Sequence, residues 1–279
     1  MSTPKPSTAA GVAWLRAAHQ LIDQPPLILE DPAAVALIGN AGTERLRSDA
    51  AQLQSPAMRA LRSHVVLRSR FAEDRLEAAV ARGIRQYVIL GAGYDTFIVR
   101  QPAWARQLRI FEVDRPSTQS EKRARLSAVG LDAPGNVTFA DVDFEKESLE
   151  EGLRRHGVDL QAPTFFSWLG VMVYLTEPAI DAVFRLVASC PEGSEIVFTF
   201  SPPRRQREDG IPGLAERAAE LGEPWLSHFE PEQIERKLLG FGFREVLFLT
   251  PAEAEERYFS GRGDGLPPPR RINIAAAAV

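Results

Sequence analysis

Residues Tyr87–Thr96 read YVILGAGYDT. A short apolar run rich in Val, Ile and Leu opens at once into Gly-Ala-Gly, then a Tyr and an Asp. Parallel α/β sheets make this transition where backbone must approach a ligand at the carboxyl end of the first strand. The stretch predicts a buried strand, a tight turn and a bound ligand.

The flanking texture agrees. After Gly83 the chain alternates strand-like and helix-like segments. Strands are expected at Gln86–Leu90, Leu108–Val113, Asn136–Val142, Thr164–Leu169 and Glu195–Phe200, with helices between them, notably Pro116–Val129 and Glu177–Ala188. Such alternation is the pattern of βαβ units and a right-handed parallel sheet. A helix (Pro231–Leu239), a strand (Glu245–Leu249) and a last apolar run (Ile272–Val279) close the chain. The loop before that run, with GRGDGLPPPR, has no clear room for a crossover helix, so the final strand is expected antiparallel to its predecessor. No internal repeat is present.

Before Gly83 the pattern is helical. The first eight residues are Pro/Ser/Thr-rich and expected to be disordered. Apolar residues at Val12, Leu15, Ala18 and Ile22 give a helix over Ala9–Ile22. Asp31-Pro32 makes an N-cap and N1 pair for a second helix ending at Gly39-Asn40. A long helix runs from Pro56 to the stop at Gly83. The expected division is an N-terminal helical extension, residues 1–82, on a core of residues 83–279. A polar, Pro/Arg-rich segment, Pro202–Leu226, interrupts the core at about 202–227 and reads as a lid.

Composition removes several classes. A net charge of −4 argues against a nucleic-acid surface. The single cysteine, Cys190, excludes a disulfide framework or a CxxC metal site and suggests a reducing compartment. No apolar run reaches the ~18 residues of a membrane span, and MSTPKPSTAAG has no signal-like apolar region. A cytoplasmic protein is expected. No His/Cys/Asp grouping has metal-ligand spacing, and the oligomeric state is open.

The glycine pattern narrows the ligand. The dinucleotide fingerprint GxGxxG uses its third glycine for close helix–strand packing. Here Gly91 and Gly93 are followed by Thr96, which lowers the odds of NAD. S-adenosylmethionine (SAM) has no pyrophosphate and needs only the close backbone approach. Asp114 ends the second strand in RIFEVD, near the ~20-residue offset of a ribose-binding acid. Glu112 is an alternative on the same face, nearer the strand's middle. Asp143 follows the third strand in FADVDF, where a carboxylate can accept from an adenine amine while Phe144 packs nearby.

The long helix adds an arginine. Leu61, Val65, Arg68, Ala72, Leu76 and Ala79 share one face, with Arg68 amid the apolar stripe and Arg70 on the solvated side. An inward arginine needs an anion. The partner is either an internal Asp or Glu or a ligand carboxylate such as that of methionine.

These motifs resemble a family. GIRQYVILGAGYDT, FEVDRPSTQSEKRARL, DVDF and GVMVYLT are similar to the class I SAM-dependent methyltransferases related to leucine carboxyl methyltransferase, most closely the bacterial branch that includes polyketide O-methyltransferases. GVAWLRAAHQLI…LILEDPAA and RYFSGRGDGL extend the similarity over nearly the whole chain. The resemblance implies a Rossmann-like fold: a mostly parallel seven-stranded sheet, helices on both faces and an antiparallel last strand. It implies SAM as cofactor, with Arg68 on the methionine carboxylate, Gly91 and Gly93 under the methionine and ribose part, Asp114 on the ribose, and Asp143 with Phe144 at the adenine. It also implies O-methylation in secondary metabolism. One departure stands out: Leu169 occupies the place of the family's usual Glu before the glycine of its EGVLMYL-like motif, with Ser167 or a backbone carbonyl as substitutes.

The expected activity is methyl transfer to a carboxylate or phenolic hydroxyl of a small molecule. The alternatives are a nicotinamide-dependent oxidoreductase and a non-catalytic SAM-binding regulatory module. No catalytic residue declares itself; His19, His64, His228 and Tyr174 are the candidates for a base or pocket wall. Arg204, Arg205 and Arg207 are either a solvated loop or a lure for an acidic substrate.

Overall fold

The computed structural model describes residues 7–143, 147–203, 218–220 and 222–279. Helix α1 spans Thr8–Ile22, and the Ser7 hydroxyl caps it by accepting from the Ala10 N–H at 3.2 Å. The helix therefore starts just before the expected Ala9, because Ser7 satisfies a free N–H of its first turn. Helix α2 (Pro32–Ser48) begins as read, with Asp31 accepting from the Ala34 N–H at 3.1 Å and Pro32 at N1. Gly39, at φ +66°, breaks the run where expected, and the chain resumes as helix at once. After the short α3 (Ala50–Leu53), α4 runs over Pro56–Ala81 and ends before Gly83, at φ +109°.

The strands follow the predicted order with ends shifted by a residue or two. They are β1 (Gln86–Leu90), β2 (Arg109–Asp114), β3 (Val137–Asp141), β4 (Thr164–Trp168), β5 (Glu195–Thr199), β6 (Glu245–Phe248) and β7 (Ile274–Ala278). The intervening helices are α5 (Pro116–Ala128), α6 (Leu149–Arg155), α7 (Glu177–Ala188) and α8 (Pro231–Phe241), and α9 (Pro251–Ala254) precedes β7. The described residues form a seven-stranded sheet in the order β3-β2-β1-β4-β5-β7-β6. Strands β1 to β5 pair in parallel, and β7 runs antiparallel to both β5 and β6, as its short approach loop requires.

Central strands β1, β4 and β5 are buried along their whole length, which their near-continuous apolar composition predicts. Alternate residues serve two apolar layers. Tyr87 and Ile89 face α4 and α5, while Val88 and Leu90 face α6, α7 and α8. Strand order reverses between β1 and β4, so their carboxyl ends open the crevice where such sheets bind ligands. Among the described residues no helix is long and apolar enough to cross a membrane.

Candidate functional site

The glycine turn at the end of β1 is held by backbone bonds to its neighbour. The Gly91 and Ala92 N–H groups both donate to the Val113 carbonyl, at 2.8 and 3.1 Å. Gly91 adopts φ +64°, and a Cβ there would lie 2.4 Å from Val171 Cγ2. Only glycine fits this position. The Gly93 N–H donates to Asp114 Oδ2 at 2.7 Å, and the Arg115 N–H donates to Oδ1 at the same distance. Each carboxylate oxygen keeps acceptor capacity for a ligand hydroxyl. Glu112, the alternative acid, is fully buried under α5 and paired with Lys122 at 2.5 Å. Burial pushes its carboxyl up to about 7 against the pull of Lys122. The acid facing the crevice is Asp114.

Helix α4 delivers Arg68 to the same edge. Arg75 and Arg82 pair with Glu195 at the start of β5, whereas the Arg68 guanidinium lies against Gly170, just past β4. The helix thus runs antiparallel to the parallel strands. A Cβ on Gly170 would lie 2.6 Å from Arg68 Nη1. Burial draws the Arg68 guanidinium down to about 10, and the nearby charge of Arg16 adds to this. No described residue brings a carboxylate into ion-pair contact with it. Arg62, not singled out by the sequence, takes the internal pair instead: its Nε and Nη2 donate to Asp23 at 2.7 Å each. Arg70, on the solvated side as expected, bonds to Asp74.

Thr96, in the third glycine's place, is a fully buried junction. Its hydroxyl donates to Asp31 Oδ1 at 2.7 Å and accepts from Arg16 Nη2 at 3.0 Å and Arg100 Nε at 3.1 Å. Arg16 also meets Asp31 at 2.7 Å and Asp95 at 2.8 Å. Against the upward push of burial, Arg16 and Arg100 hold the Asp95 carboxyl well below the usual range. This network ties α1 and the α2 cap to the glycine turn. The sequence reading missed it; the threonine where a dinucleotide site wants glycine was its visible trace.

The remaining candidates separate. Asp143 follows β3 at the carboxyl edge, half-buried, and its N–H donates to Glu147 Oε1 at 3.3 Å. Phe144 lies outside the described residues, as do Arg204, Arg205, Arg207 and most of the segment read as a lid. Ser167 does not replace the missing Glu: it is buried within β4 and shares a 2.8 Å hydrogen bond with the Tyr87 hydroxyl. Leu169 packs into the apolar layer on the α4 side. Tyr174 stands close to Arg68. His19 is structural, since its Nε2 accepts from the Ile28 N–H at 3.1 Å and its Nδ1 bonds to Asp23 at 2.7 Å. His228 is exposed.

Gly91, Gly93, Asp114 and Arg68 therefore converge on one edge, a glycine cradle flanked by a carboxylate and by a guanidinium with no ion-pair partner among the described residues. The family model for leucine carboxyl methyltransferase matches residues 9–188. The chain belongs to that family. A Bacillus subtilis relative, YktD, whose name assigns it to the SAM-dependent methyltransferases, is 33% identical over 91% of each chain. A Mycobacterium marinum relative named in the same way is 30% identical over 79% of this chain and 72% of its own. Among solved structures, a Thermobifida fusca protein titled as a methyltransferase superposes with a TM-score of 0.57 at 21% identity, covering 98% of this chain and 95% of its own. A DUF574 protein from Streptomyces avermitilis gives 0.53 at 18% identity, covering 95% and 96%. These structural likenesses establish the class I methyltransferase fold.

The protein is thus a SAM-dependent methyltransferase, and the nicotinamide alternative is set aside. The residues present suit SAM. A guanidinium with no ion-pair partner among the described residues can take a carboxylate such as that of methionine, and a strand-end carboxylate can accept from ribose hydroxyls.

Proposed function

We propose that this methyltransferase transfers the methyl group of SAM to an oxygen of a small molecule, a carboxylate or a phenolic hydroxyl. The observation that carries the cofactor assignment is Arg68, seated on Gly170 with no carboxylate of the described residues in contact. In this reading Arg68 holds the methionine carboxylate, Gly91 and Gly93 let the methionine and ribose pass, Asp114 accepts from the ribose, and Asp143 with Phe144 binds the adenine. Residues 1–82 form an extension whose Arg16 steadies the glycine turn, and residues 202–227 cover the substrate cleft.

Methyl transfer from a sulfonium is an in-line displacement, so holding acceptor and methyl in line supplies most of the acceleration. A carboxylate acceptor, with a pKa of ~4, is already ionised; a phenol, near ~10, gains from a proton acceptor.

Calorimetric titration with SAM, S-adenosylhomocysteine and NADH tests the reading. The first two should bind and NADH should not. Asp114→Ala should weaken SAM by roughly 1–3 kcal/mol, since ligand hydroxyls lose a charged acceptor and Gly93 its anchor. Unchanged affinity in the folded variant would move the ribose contact elsewhere.

Gly170→Ala provides a second check. Its φ of +76° disfavours any side chain, and the added Cβ would displace the Arg68 guanidinium. SAM affinity should fall about tenfold, the effect of a charge-assisted bond moved off its geometry. Wild-type affinity would show that Arg68 works from another position.

A further inference from the structure

One titratable group at this edge has no assigned task. His64 lies one turn before Arg68 on α4, so the two share a stripe. Because α4 runs antiparallel to the strands, each step towards its N-terminus carries a side chain about 1.5 Å further past the carboxyl edge. His64 therefore lies about 6 Å further along the α4 axis than Arg68, on the carboxyl side of the sheet, and close enough to Arg68 to feel its charge.

Neither ring nitrogen of His64 bonds to a described residue, and Nδ1 is sealed from solvent. A buried ring nitrogen without a partner is costly unless a ligand completes it, and with the proton on Nε2 that nitrogen is an acceptor. Burial, with the charge of Arg68 adding, draws the imidazole down to about 3, so it is neutral at physiological pH. Tyr174 borders Arg68, and the Leu226 N–H donates to the Val173 carbonyl at 2.7 Å, which carries Trp225 beside the Met172–Tyr174 turn. The Trp225 indole N–H is also buried without a partner among the described residues. Past the carboxyl edge stand a neutral imidazole on α4 and, on the far side of Arg68, Tyr174 and the Trp225 indole, with Arg68 committed to the cofactor.

We propose that His64 receives the methyl acceptor: its Nδ1 accepts the hydrogen bond of a phenol-type hydroxyl and selects that group over a carboxylate. The inference rests on the cofactor reading above, which commits Arg68 to the methionine carboxylate. A carboxylate at the same place would face an imidazole lone pair, whereas a hydroxyl supplies the missing donor. In the transfer, the hydroxyl oxygen gains the methyl carbon as the carbon–sulfur bond breaks and its electron pair stays on sulfur. The hydroxyl proton is released to water as the ether forms, with Nδ1 orienting the hydroxyl and not keeping the proton, and nothing is oxidised or reduced.

The test uses a matched pair, 2-naphthol and 2-naphthoate, titrated calorimetrically into protein saturated with S-adenosylhomocysteine. Wild type should bind the naphthol at least about tenfold more tightly, the worth of one well-placed hydrogen bond in a dry site. His64→Leu should bring the two within about twofold, while His64→Asn, whose side-chain amide places an oxygen near the Nδ1 position, should retain most of the preference. S-adenosylhomocysteine affinity should be unchanged in both variants. As a measurement independent of variant folding, the Nδ1 resonance of His64 in the wild-type protein should shift with naphthol and not with naphthoate. Equal or tighter naphthoate binding, no naphthol binding, or a preference that survives His64→Leu overturns the proposal. Failure of S-adenosylhomocysteine to bind wild type would instead overturn the cofactor reading.

Discussion

Arg68→Met should lower SAM affinity by roughly 10- to 150-fold, about 1.5–3 kcal/mol for a lost charge-assisted bond, while the melting temperature stays level or rises. The two readouts divide because of what surrounds the guanidinium. A buried cation with an internal carboxylate partner stabilises the pair, and its removal strands the partner at a cost of about 3–5 kcal/mol. Arg68 has no such partner among the described residues, and both burial and Arg16 work against its charge. Methionine fills similar volume on an apolar stripe, so the free protein loses nothing it was using. The same helix supplies the control. Arg62 is fully buried and bidentate to Asp23, so Arg62→Met should show the opposite pattern, a large drop in melting temperature with SAM affinity intact in the folded fraction. Titration and thermal melts of both variants check this. A destabilised Arg68→Met that still binds SAM normally would remove Arg68 from the site.

The contrast between these arginines marks how far the sequence could be read. Periodicity placed Arg68 on the inward stripe of α4, and helix geometry alone carried that inference. It offered nothing on Arg62, whose partner Asp23 lies 39 residues away in a different segment. Local signals behaved likewise elsewhere. The bounds Glu177–Ala188 of α7 were legible because a proline sits in the first turn, at N2, and apolar residues recur along one face. The Asp31 cap of α2 was legible from Asp-Pro. The seven residues of α6, LEEGLRR, are too short to show a period, so its bounds were not legible. Asp114 and Glu112 could not be separated by alternation, since both point to one face; only the packing of α5, with Lys122 over Glu112, divides them. Strand ends and glycines are written locally, whereas the partners of charged groups are decided by how distant segments meet.

Thr96 carries that lesson to its largest stability effect. Thr96→Val keeps the volume and removes the hydroxyl, which donates to Asp31 and accepts from Arg16 and Arg100. Each guanidinium then loses one acceptor and a buried carboxylate loses one donor, in a site sealed from solvent. Bonds to charged groups are the stronger class, and the surviving ion pairs of Arg16 and Arg100 with Asp31 recover part of the loss. The expected cost is about 2–4 kcal/mol, a fall in melting temperature on the order of 5–15 °C for a chain of this size. Thr96→Ser keeps the hydroxyl and should cost only about 1 kcal/mol for the missing methyl. SAM affinity should also fall several-fold in the valine variant, because Asp95, next to Thr96, loses part of the lattice that fixes the turn carrying Gly91 and Gly93. Thr96→Gly would restore the dinucleotide pattern in the sequence alone. It should melt even lower than the valine variant and gain no affinity for NADH, since the position has been given to a hydrogen-bond junction between α1, α2 and the turn. Wild-type melting of Thr96→Val would show that water replaces the hydroxyl and that the junction is dispensable.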